Sequence, residues 1–335
     1  MTEARAAANG ILLRPLLALR AWIALRRSDL TAVEADARAV LDATGMFVEL
    51  LAELATCVLV EVLVERGAMD EAERALEPFV SDLQGSSISA ATLRYFRGRL
   101  LFAQRRFGEA LSDFRATGAI YVAVGAVSPC VLPWRSDAAL AALAVDEHEL
   151  ARNLSTEELA LARSFGAPRA LGIALRAAGL VAGGDRCEVL LREAVDVLAG
   201  SDSRLEHARA QTDLGAFLRR ANRRVEARES LRQAVDTAHH LGAAALAERA
   251  ETELRATGAK PRRVMLTGLE ALTASERRIA ELAANGLTNR EIAQTLFITA
   301  RTVEGHLTNV FNKLDIRART ELPTALATST QAVRG

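Results

Sequence analysis

Apolar residues recur every three or four positions along nearly the whole of residues 1–255, with charged residues between them. This is the period of an amphipathic α-helix, whereas a half-buried strand would alternate every second residue. The same stretch is rich in Ala, Leu, Arg and Glu and poor in Pro. The pattern therefore predicts an all-α fold built from many short helices.

The helical pattern also repeats. The sequences SDLTAVEA, GAMDEAERA, RFGEALSD, DEHELARN, GDRCEVLL and RRVEARES succeed one another at intervals of 37 to 41 residues. A regular interval of this size is typical of a tetratricopeptide-like solenoid, in which each repeat is a pair of helices. SPCVLPW at 128–134 interrupts the pattern and indicates a longer connection. Residues 1–255 are therefore predicted to form about six repeats. The small residues expected where the two helices of a repeat approach closely are Ala35, Ala72, Ala110, Ala151, Val189 and Ala227.

Residues 272–322 carry a different pattern. T-x-x-E sequences at 273–276 and 288–291 are typical capping boxes, and Gly286 stands where a helix would end in a left-handed residue. Thr299 can cap a further helix immediately after an apolar turn. Helices this short are unstable alone, so they must share one small core. The spacing predicts four short helices with a helix-turn-helix at 289–308.

The helix predicted at 300–314 has three distinct faces. Its apolar residues form one stripe, and a second face carries small or hydrogen-bonding residues that would fit a DNA major groove. Taken alone, the second face is explained equally well as an ordinary solvated surface. The apolar stripe is Val303, Leu307, Val310, Phe311 and Leu314, and Ile279, Leu282, Ala283, Ile292, Leu296 and Ile298 are expected to join it in the core.

The C-terminal segment resembles the LuxR-type DNA-binding domain. The shared sequences are L-T-x-x-E from Leu272, G-L-T-N-x-E-I-A from Gly286, T-V-E-x-H-L from Thr302, K-L at 313–314 and R-x-R-T-E-L from Arg317. The resemblance implies a four-helix DNA-binding domain, which we place at 268–333. It also implies that double-stranded DNA is the partner.

The resemblance further implies a role for individual residues. Bases would be contacted by the middle of the third helix, and phosphates by the second helix and by the flanks of the third. The expected base-facing residues are Glu304, Gly305 and Thr308. The expected phosphate-facing or flanking residues are Thr288, Asn289, Arg290, Arg301, Thr302, Asn309 and Lys313. His306 is expected to pack or to contact a phosphate.

The fourth helix departs from the family pattern. Ala318 stands where many members have a capping Ser or Asn, and Pro323 falls near the first turns. Because proline lacks an N–H and clashes inside a helix, the helix should either begin later, at Thr320, or be kinked. In the family this helix pairs two subunits on DNA. A homodimer is therefore expected, with its geometry left open.

The stretch between the two parts, residues 256–267, is interpreted as a linker. Its KPRR at 260–263 is either a basic arm that adds phosphate affinity or a solvated connection. Residues 256–335 hold 11 Lys or Arg against 7 Asp or Glu, although the whole chain carries no net charge. A weakly basic C-terminal part is consistent with DNA binding but is thin evidence alone.

Several classes of site are disfavoured by composition. Cys57, Cys130 and Cys187 are odd in number and lack metal-ligand spacing, which suits a reducing cytoplasm. Lys260 and Lys313 are the chain's only lysines, so no G-x-x-x-x-G-K-[ST] phosphate loop exists. No apolar run approaches the length that spans a membrane. We expect no cofactor, no metal, no catalytic residue and no membrane association.

The combination of helical repeats and this C-terminal domain is similar to the C-terminal half of the large ATP-binding LuxR-type regulators of the maltose-activator kind. Their nucleotide-binding module is missing here, so the chain is expected to be a short or truncated form. The resemblance implies a transcriptional regulator, more often an activator, that would engage RNA polymerase. A protein or small-molecule effector would act on the repeats. The alternative is a protein-interaction scaffold with a weak DNA-binding domain, and nothing supports an enzyme.

Overall fold

The structure is a computed structural model that describes residues 15–42, 48–259 and 272–327. Within these ranges every regular element is a helix, which confirms the all-α prediction. Residues 15–26 form α1. The helices that follow are α2 (Leu30–Leu41), α3 (Val48–Glu65), α4 (Met69–Leu76), α5 (Ile88–Ala103), α6 (Phe107–Ala123), α7 (Trp134–Ala144), α8 (His148–Phe165), α9 (Pro168–Ala182), α10 (Gly184–Ala199), α11 (Arg204–Arg220), α12 (Arg224–Leu241) and α13 (Ala244–Ala256).

One turn joins the two helices of most pairs. Ser28, Gly67, Arg105, Asp146 and Asn222 all have φ between 61° and 77°, and each lies two residues before the second helix of its pair. The N–H of the next residue donates to the carbonyl five residues earlier, as from Asp29 to Ala24 at 3.0 Å. This bond satisfies a carbonyl that the end of the first helix leaves free. The same local geometry therefore generates a series of helical hairpins.

The fourth residue of each second helix packs against the first helix. These residues are between 0% and 4% exposed, and they are Val33, Ala72, Ala110, Ala151, Cys187 and Ala227. Two of the predicted packing residues were wrong: Ala35 is half-buried, and Val189 is 64% exposed. The turn before α10 is Gly183 alone, two residues shorter than the others, so a constant interval overshoots Cys187.

Glycines in the first helices let the pairs approach closely. A Cβ on Gly98 would lie 2.7 Å from the ring of Phe114, and a Cβ on Gly215 would lie 2.4 Å from Leu231. Since real Cβ atoms do not approach other atoms this closely, a side chain at either position would push the helices apart. The longer connection expected around 128–134 is present, because residues 124–133 separate α6 from α7.

The helical array closes on itself. Helix α13 contacts α3, and the backbone N–H of Leu205 donates to Ser28 Oγ at 2.9 Å. Beside Trp22 and Glu206 lies a cavity of about 30 Å³, the size of one or two water molecules. Tyr95, Tyr121 and Trp134 are buried in packing.

Buried charges occupy the centre of this array. Arg99 binds Glu61 at 2.9 Å and Asp137 at 3.1 Å, and Tyr95 donates to Asp137 at 2.6 Å. Arg209 joins the same network from α11. Burial alone would raise the pKa of Glu206, but the guanidinium groups of Arg209 and Arg169 hold it at about 2. These buried charges come from α3, α5, α7, α9 and α11. They neutralise one another only when the array is assembled.

The C-terminal domain forms its own core. Its helices are α14 (Ala274–Ala284), α15 (Asn289–Leu296), α16 (Ala300–Leu314) and α17 (Leu322–Ala327), with a 3₁₀ turn at Arg319–Glu321. Ile279, Ala283 and Ile292 are buried as expected. Leu282, Leu296, Ile298, Phe311 and Leu314 are partly buried against the same core. Of the linker predicted at 256–267, residues 260–267, which include KPRR at 260–263, lie outside the described residues.

Candidate nucleic-acid interface

Local hydrogen bonds fix the ends of the helix-turn-helix. Glu276 N–H donates to Thr273 Oγ1 at 3.2 Å, and Thr273 N–H returns a bond to the Glu276 carboxylate at 2.7 Å. The 288–291 segment repeats this arrangement, so both capping boxes are present. Thr299 Oγ1 caps α16 by accepting from Thr302 N–H at 3.0 Å. Between α15 and α16, Phe297 adopts φ 54°, which produces the turn.

One face of α16 is open. Arg301, Glu304 and Thr308 are exposed, and Gly305 between them is half-exposed. A Cβ on Gly305 would meet no atom within 4 Å, so nothing among the described residues overlies this position. Thr308 Oγ1 donates to the Glu304 carbonyl at 2.9 Å. The three residues expected to face bases therefore share one accessible surface.

The beginning of α15 lies beside this surface. Thr288 and Arg290 are exposed, whereas Asn289 is half-buried. Asn289 Oδ1 accepts from Arg319 Nη1 at 2.7 Å, and Arg319 also donates to the Leu287 carbonyl. Asn289 is thus held by the 3₁₀ turn, while Arg290 can reach outward to a phosphate.

The other flank of α16 is largely covered. Lys313 Nζ donates to both carboxylate oxygens of Glu276, at 2.7 Å and 2.9 Å, so its charge is used inside the domain. His306 is 2% exposed, and burial lowers its pKa, which favours the neutral ring. Thr302 is 1% exposed and Asn309 is half-buried. The residues expected to flank the DNA are therefore not equally accessible.

Much of this covering comes from the helical array. Arg301 Nη1 binds the Asp42 carboxylate at 2.8 Å, and Ser275 Oγ donates to Asp29 at 2.9 Å. Sequence reasoning missed Asp29, Asp36 and Asp42 of the first helical hairpin. They lie more than 240 residues away along the chain, and no local motif links them to α16.

The fourth helix begins later than expected. The 3₁₀ turn at Arg319–Glu321 precedes α17, which starts at Leu322 and includes Pro323 in its first turn. A proline there costs no hydrogen bond, because the first N–H groups of a helix have no intrahelical acceptor. Ala318 makes no side-chain capping bond. The helix therefore starts beyond Thr320, and the 3₁₀ turn replaces its first turn.

The part of the chain that the structure describes contains neither a candidate metal site nor a helix suited to crossing a membrane. No group of three or more His, Cys, Asp or Glu side chains there is arranged to hold a metal ion. None of the described helices combines the length and the apolar character that crossing a membrane requires.

Comparison with known proteins bears on the C-terminal domain. Residues 270–325 match the family described as "Bacterial regulatory proteins, luxR family". The transcriptional regulatory protein LiaR of Bacillus subtilis is 50% identical over 52 residues, which are 16% of this chain and 25% of LiaR. The putative HTH-type transcriptional regulator Mb0914c of Mycobacterium bovis is 44% identical over 55 residues, 6% of its length. The match thus spans a quarter or less of these relatives, and the C-terminal domain is a LuxR-type helix-turn-helix domain.

The fold of the whole chain resembles that of a solved helical-repeat protein. The crystal structure of a Rap protein complexed with Competence and Sporulation Factor has a TM-score of 0.51 and 13% sequence identity. The similarity covers 93% of this chain and 99% of the Rap chain. At this identity the likeness concerns the fold alone, and it supports the tetratricopeptide-like helical-repeat architecture.

Proposed function

We propose that this chain is a sequence-specific DNA-binding transcriptional regulator that places α16 in the major groove. The observation that carries the proposal is the open face of α16, where Glu304, Gly305 and Thr308 lie side by side. A helix whose closest-approach position lacks a side chain can enter the groove deeply, while its neighbours reach base edges. The LuxR-type domain supports the same assignment.

The regulator is proposed to act as a homodimer in the bacterial cytoplasm, paired on DNA through α17. Activation through RNA polymerase is proposed in preference to repression. A protein or small-molecule effector would act on the helical array. The effector would bind the surface of the array or shift its helices.

Selection of bound sequences from a random duplex pool, using the full-length protein, tests the proposal. An enriched inverted repeat with half-sites about one helical turn apart is the expected result, because two subunits would each present one α16. Enrichment of a single half-site would support sequence reading but overturn the dimer. If no sequence is enriched even at low salt, the proposal is wrong.

Two point variants separate base reading from phosphate binding. Thr308→Ala should change preference at one or two base positions and cost about 1–3 kcal/mol of specific binding if the contact is direct. Arg290→Ala should weaken binding to all sequences alike and reduce the slope of log affinity against log salt by about one. A change of base preference from Arg290→Ala would contradict its assignment to the backbone.

A second candidate is a protein-interaction scaffold whose DNA-binding domain is weak. Two residues expected to face bases favour the scaffold, since Glu304 brings a negative charge toward DNA and Gly305 contributes no side chain. Glu304 would be accommodated only where its carboxylate accepts from a cytosine amino group. DNA binding that is weak and nearly independent of salt would favour the scaffold.

A further inference from the structure

The first helical hairpin of the array packs directly against the flank of α16. Asn309 Nδ2 donates to Thr31 Oγ1 at 3.4 Å, and Thr302 Oγ1 lies 3.5 Å from Asp36 Oδ1. Arg301 binds Asp42 beside them at 2.8 Å. Arg20 of α1 donates both to Asp36 and to the carbonyl of Phe297, in the turn that precedes α16. The interface is therefore made of several specific polar contacts.

Three carboxylates of this hairpin face the DNA-binding domain. Asp29 caps the start of α2, Asp36 lies in its middle and Asp42 caps its end. They contact Ser275, Thr302 and Arg301 of the DNA-binding domain, respectively. At a rise of about 1.5 Å per residue, they are spaced by roughly 10 Å. The hairpin therefore presents three separate carboxylates to the DNA-binding domain.

Two of these carboxylates, Asp36 and Asp42, meet groups that are expected to contact phosphates. Arg301 and Thr302 meet Asp42 and Asp36, while Asn309 meets Thr31. The base-facing residues Glu304 and Thr308 remain exposed. The hairpin thus occupies the place of one DNA strand beside α16 and leaves the base-reading surface open.

DNA and α2 cannot occupy this flank together. The major groove is about 12 Å wide, and a helix with its side chains is about 10–12 Å across, so the groove holds α16 alone. A second helix within hydrogen-bond distance of Thr302 and Asn309 fills the space through which a phosphate strand must pass.

The interface between the first hairpin and the DNA-binding domain can also open. The apolar core of the DNA-binding domain draws its described members from Leu272 to Leu326, and those of the array form separate clusters. The hydrogen bonds and ion pairs between the two parts include groups in solvent, since the Arg301 and Asp42 side chains are 64% and 58% exposed. Polar contacts of this type resemble those of transient interfaces.

We propose that the acidic face formed by Asp29, Asp36 and Asp42 is a phosphate-like docking surface for the chain's own DNA-binding domain. It holds α16 away from DNA until the hairpin is displaced. This inference rests on the proposed DNA-binding function and adds to it the means by which the function is restrained.

The first test alters the docking surface in the full-length protein. The probe is a mixed-sequence 30-base-pair duplex at low salt, because binding to any sequence requires the phosphate contacts that the hairpin covers. Asp36→Asn combined with Asp42→Asn should increase affinity at least five-fold. Asp42→Asn alone, at an exposed position that should not perturb folding, should increase it by a smaller factor. Unchanged or weaker binding by both variants overturns the inference.

The matched control carries the same change of net charge elsewhere. Asp70→Asn combined with Asp196→Asn alters two exposed aspartates on α4 and α10. This variant should bind the duplex as the unaltered protein does. An equal gain in affinity from the control would attribute the effect to net charge and overturn the docking surface.

A second test locks the contact with a short bifunctional thiol crosslinker. Thr31→Cys and Asn309→Cys place two thiols on either side of the contact, where Asn309 Nδ2 and Thr31 Oγ1 lie 3.4 Å apart. The crosslinked protein should bind the duplex at least ten-fold more weakly than the same variant capped with a monofunctional thiol reagent. Failure to crosslink within one chain, or equal binding by both forms, overturns the inference while DNA binding stands. Absence of binding in every variant, crosslinked or capped, is the separate result that overturns the proposed function.

Discussion

At the residue scale, Glu158 is the least well compensated charge in the helical array. It is 1% exposed, and neither carboxylate oxygen has a hydrogen-bond partner among the described residues. Its nearest opposite charge is Arg135 Nη1 at 3.6 Å, and Arg135 also meets Glu157 at 2.8 Å. Burial therefore dominates, and it raises the pKa of Glu158 to about 8.

This carboxyl group should make stability depend on pH. Because its folded pKa lies above the unfolded value of 4.5, its contribution is complete below about pH 4.5 and is lost as pH rises toward 8. Glu158→Gln keeps the neutral shape at every pH. Its advantage over the unaltered protein should be small at pH 4.5 and grow to the order of 5 kcal/mol by pH 8.5, at about 1.4 kcal/mol per pKa unit over about 3.5 units.

Urea unfolding at several pH values measures this effect. The control is Glu149→Gln, at an exposed position on the same helix. The difference in unfolding free energy between this control and the unaltered protein should stay constant between pH 6 and 8.5, because both retain Glu158. A parallel pH dependence for Glu158→Gln and the unaltered protein would mean that Glu158 is ionised in the folded state.

At the element scale, α16 contains a glycine, Gly305, that lowers the stability of the helix. Gly305 lies in the helix interior, where glycine costs about 0.5–1 kcal/mol relative to alanine. Its Cβ position is open, so packing does not demand glycine there, in contrast to Gly98 against Phe114. The missing side chain is better explained by the approach of α16 to DNA.

Gly305→Ala should therefore separate stability from DNA binding. The variant should raise the free energy of unfolding of the C-terminal domain by about 0.5–1 kcal/mol and weaken binding to a selected operator. The matched control, Gly98→Ala, should lower stability, because its Cβ would lie 2.7 Å from Phe114. Thermal unfolding and duplex titration provide the two readouts. Unaltered operator affinity in Gly305→Ala would show that this position does not approach the bases.

The elements differ in how well their sequence predicts them. Both capping boxes and the core stripe of α16 were predictable, because they depend on residues within one or two turns of each other. The packing residue at 187 was not, because Gly183–Gly184 conceals a shorter turn. Val33 was missed although its turn has the common length, because Ala35 is the smaller residue nearby. The late start of α17 likewise depends on the 3₁₀ turn, which Arg319 ties to α15.

At the scale of the whole molecule, closure of the array depends on charges that no single motif reveals. Arg209 of α11 binds Glu206 at 2.7 Å and Glu61 at 3.2 Å, and it also binds Glu65. Glu61 and Glu65 lie on α3, more than 140 residues earlier. Helical periodicity predicts each helix, but it does not predict that α3 and α11 meet. The docking of α16 on α2 is hidden from sequence for the same reason.

The closure makes Arg209 a strong test of the architecture. Arg209→Met keeps much of the side-chain volume but leaves three buried carboxylates with less opposing charge, which should cost about 3–5 kcal/mol of stability. Arg232→Met, at an exposed position on α12, should cost less than about 0.5 kcal/mol. Adding Glu65→Gln to Arg209→Met should recover part of the loss, because it removes one of the charges that Arg209 had neutralised. Urea unfolding of the three variants measures these differences. If Arg209→Met were no more harmful than Arg232→Met, the central charges would not hold the array closed, and the position of the first hairpin against α16 would require another support.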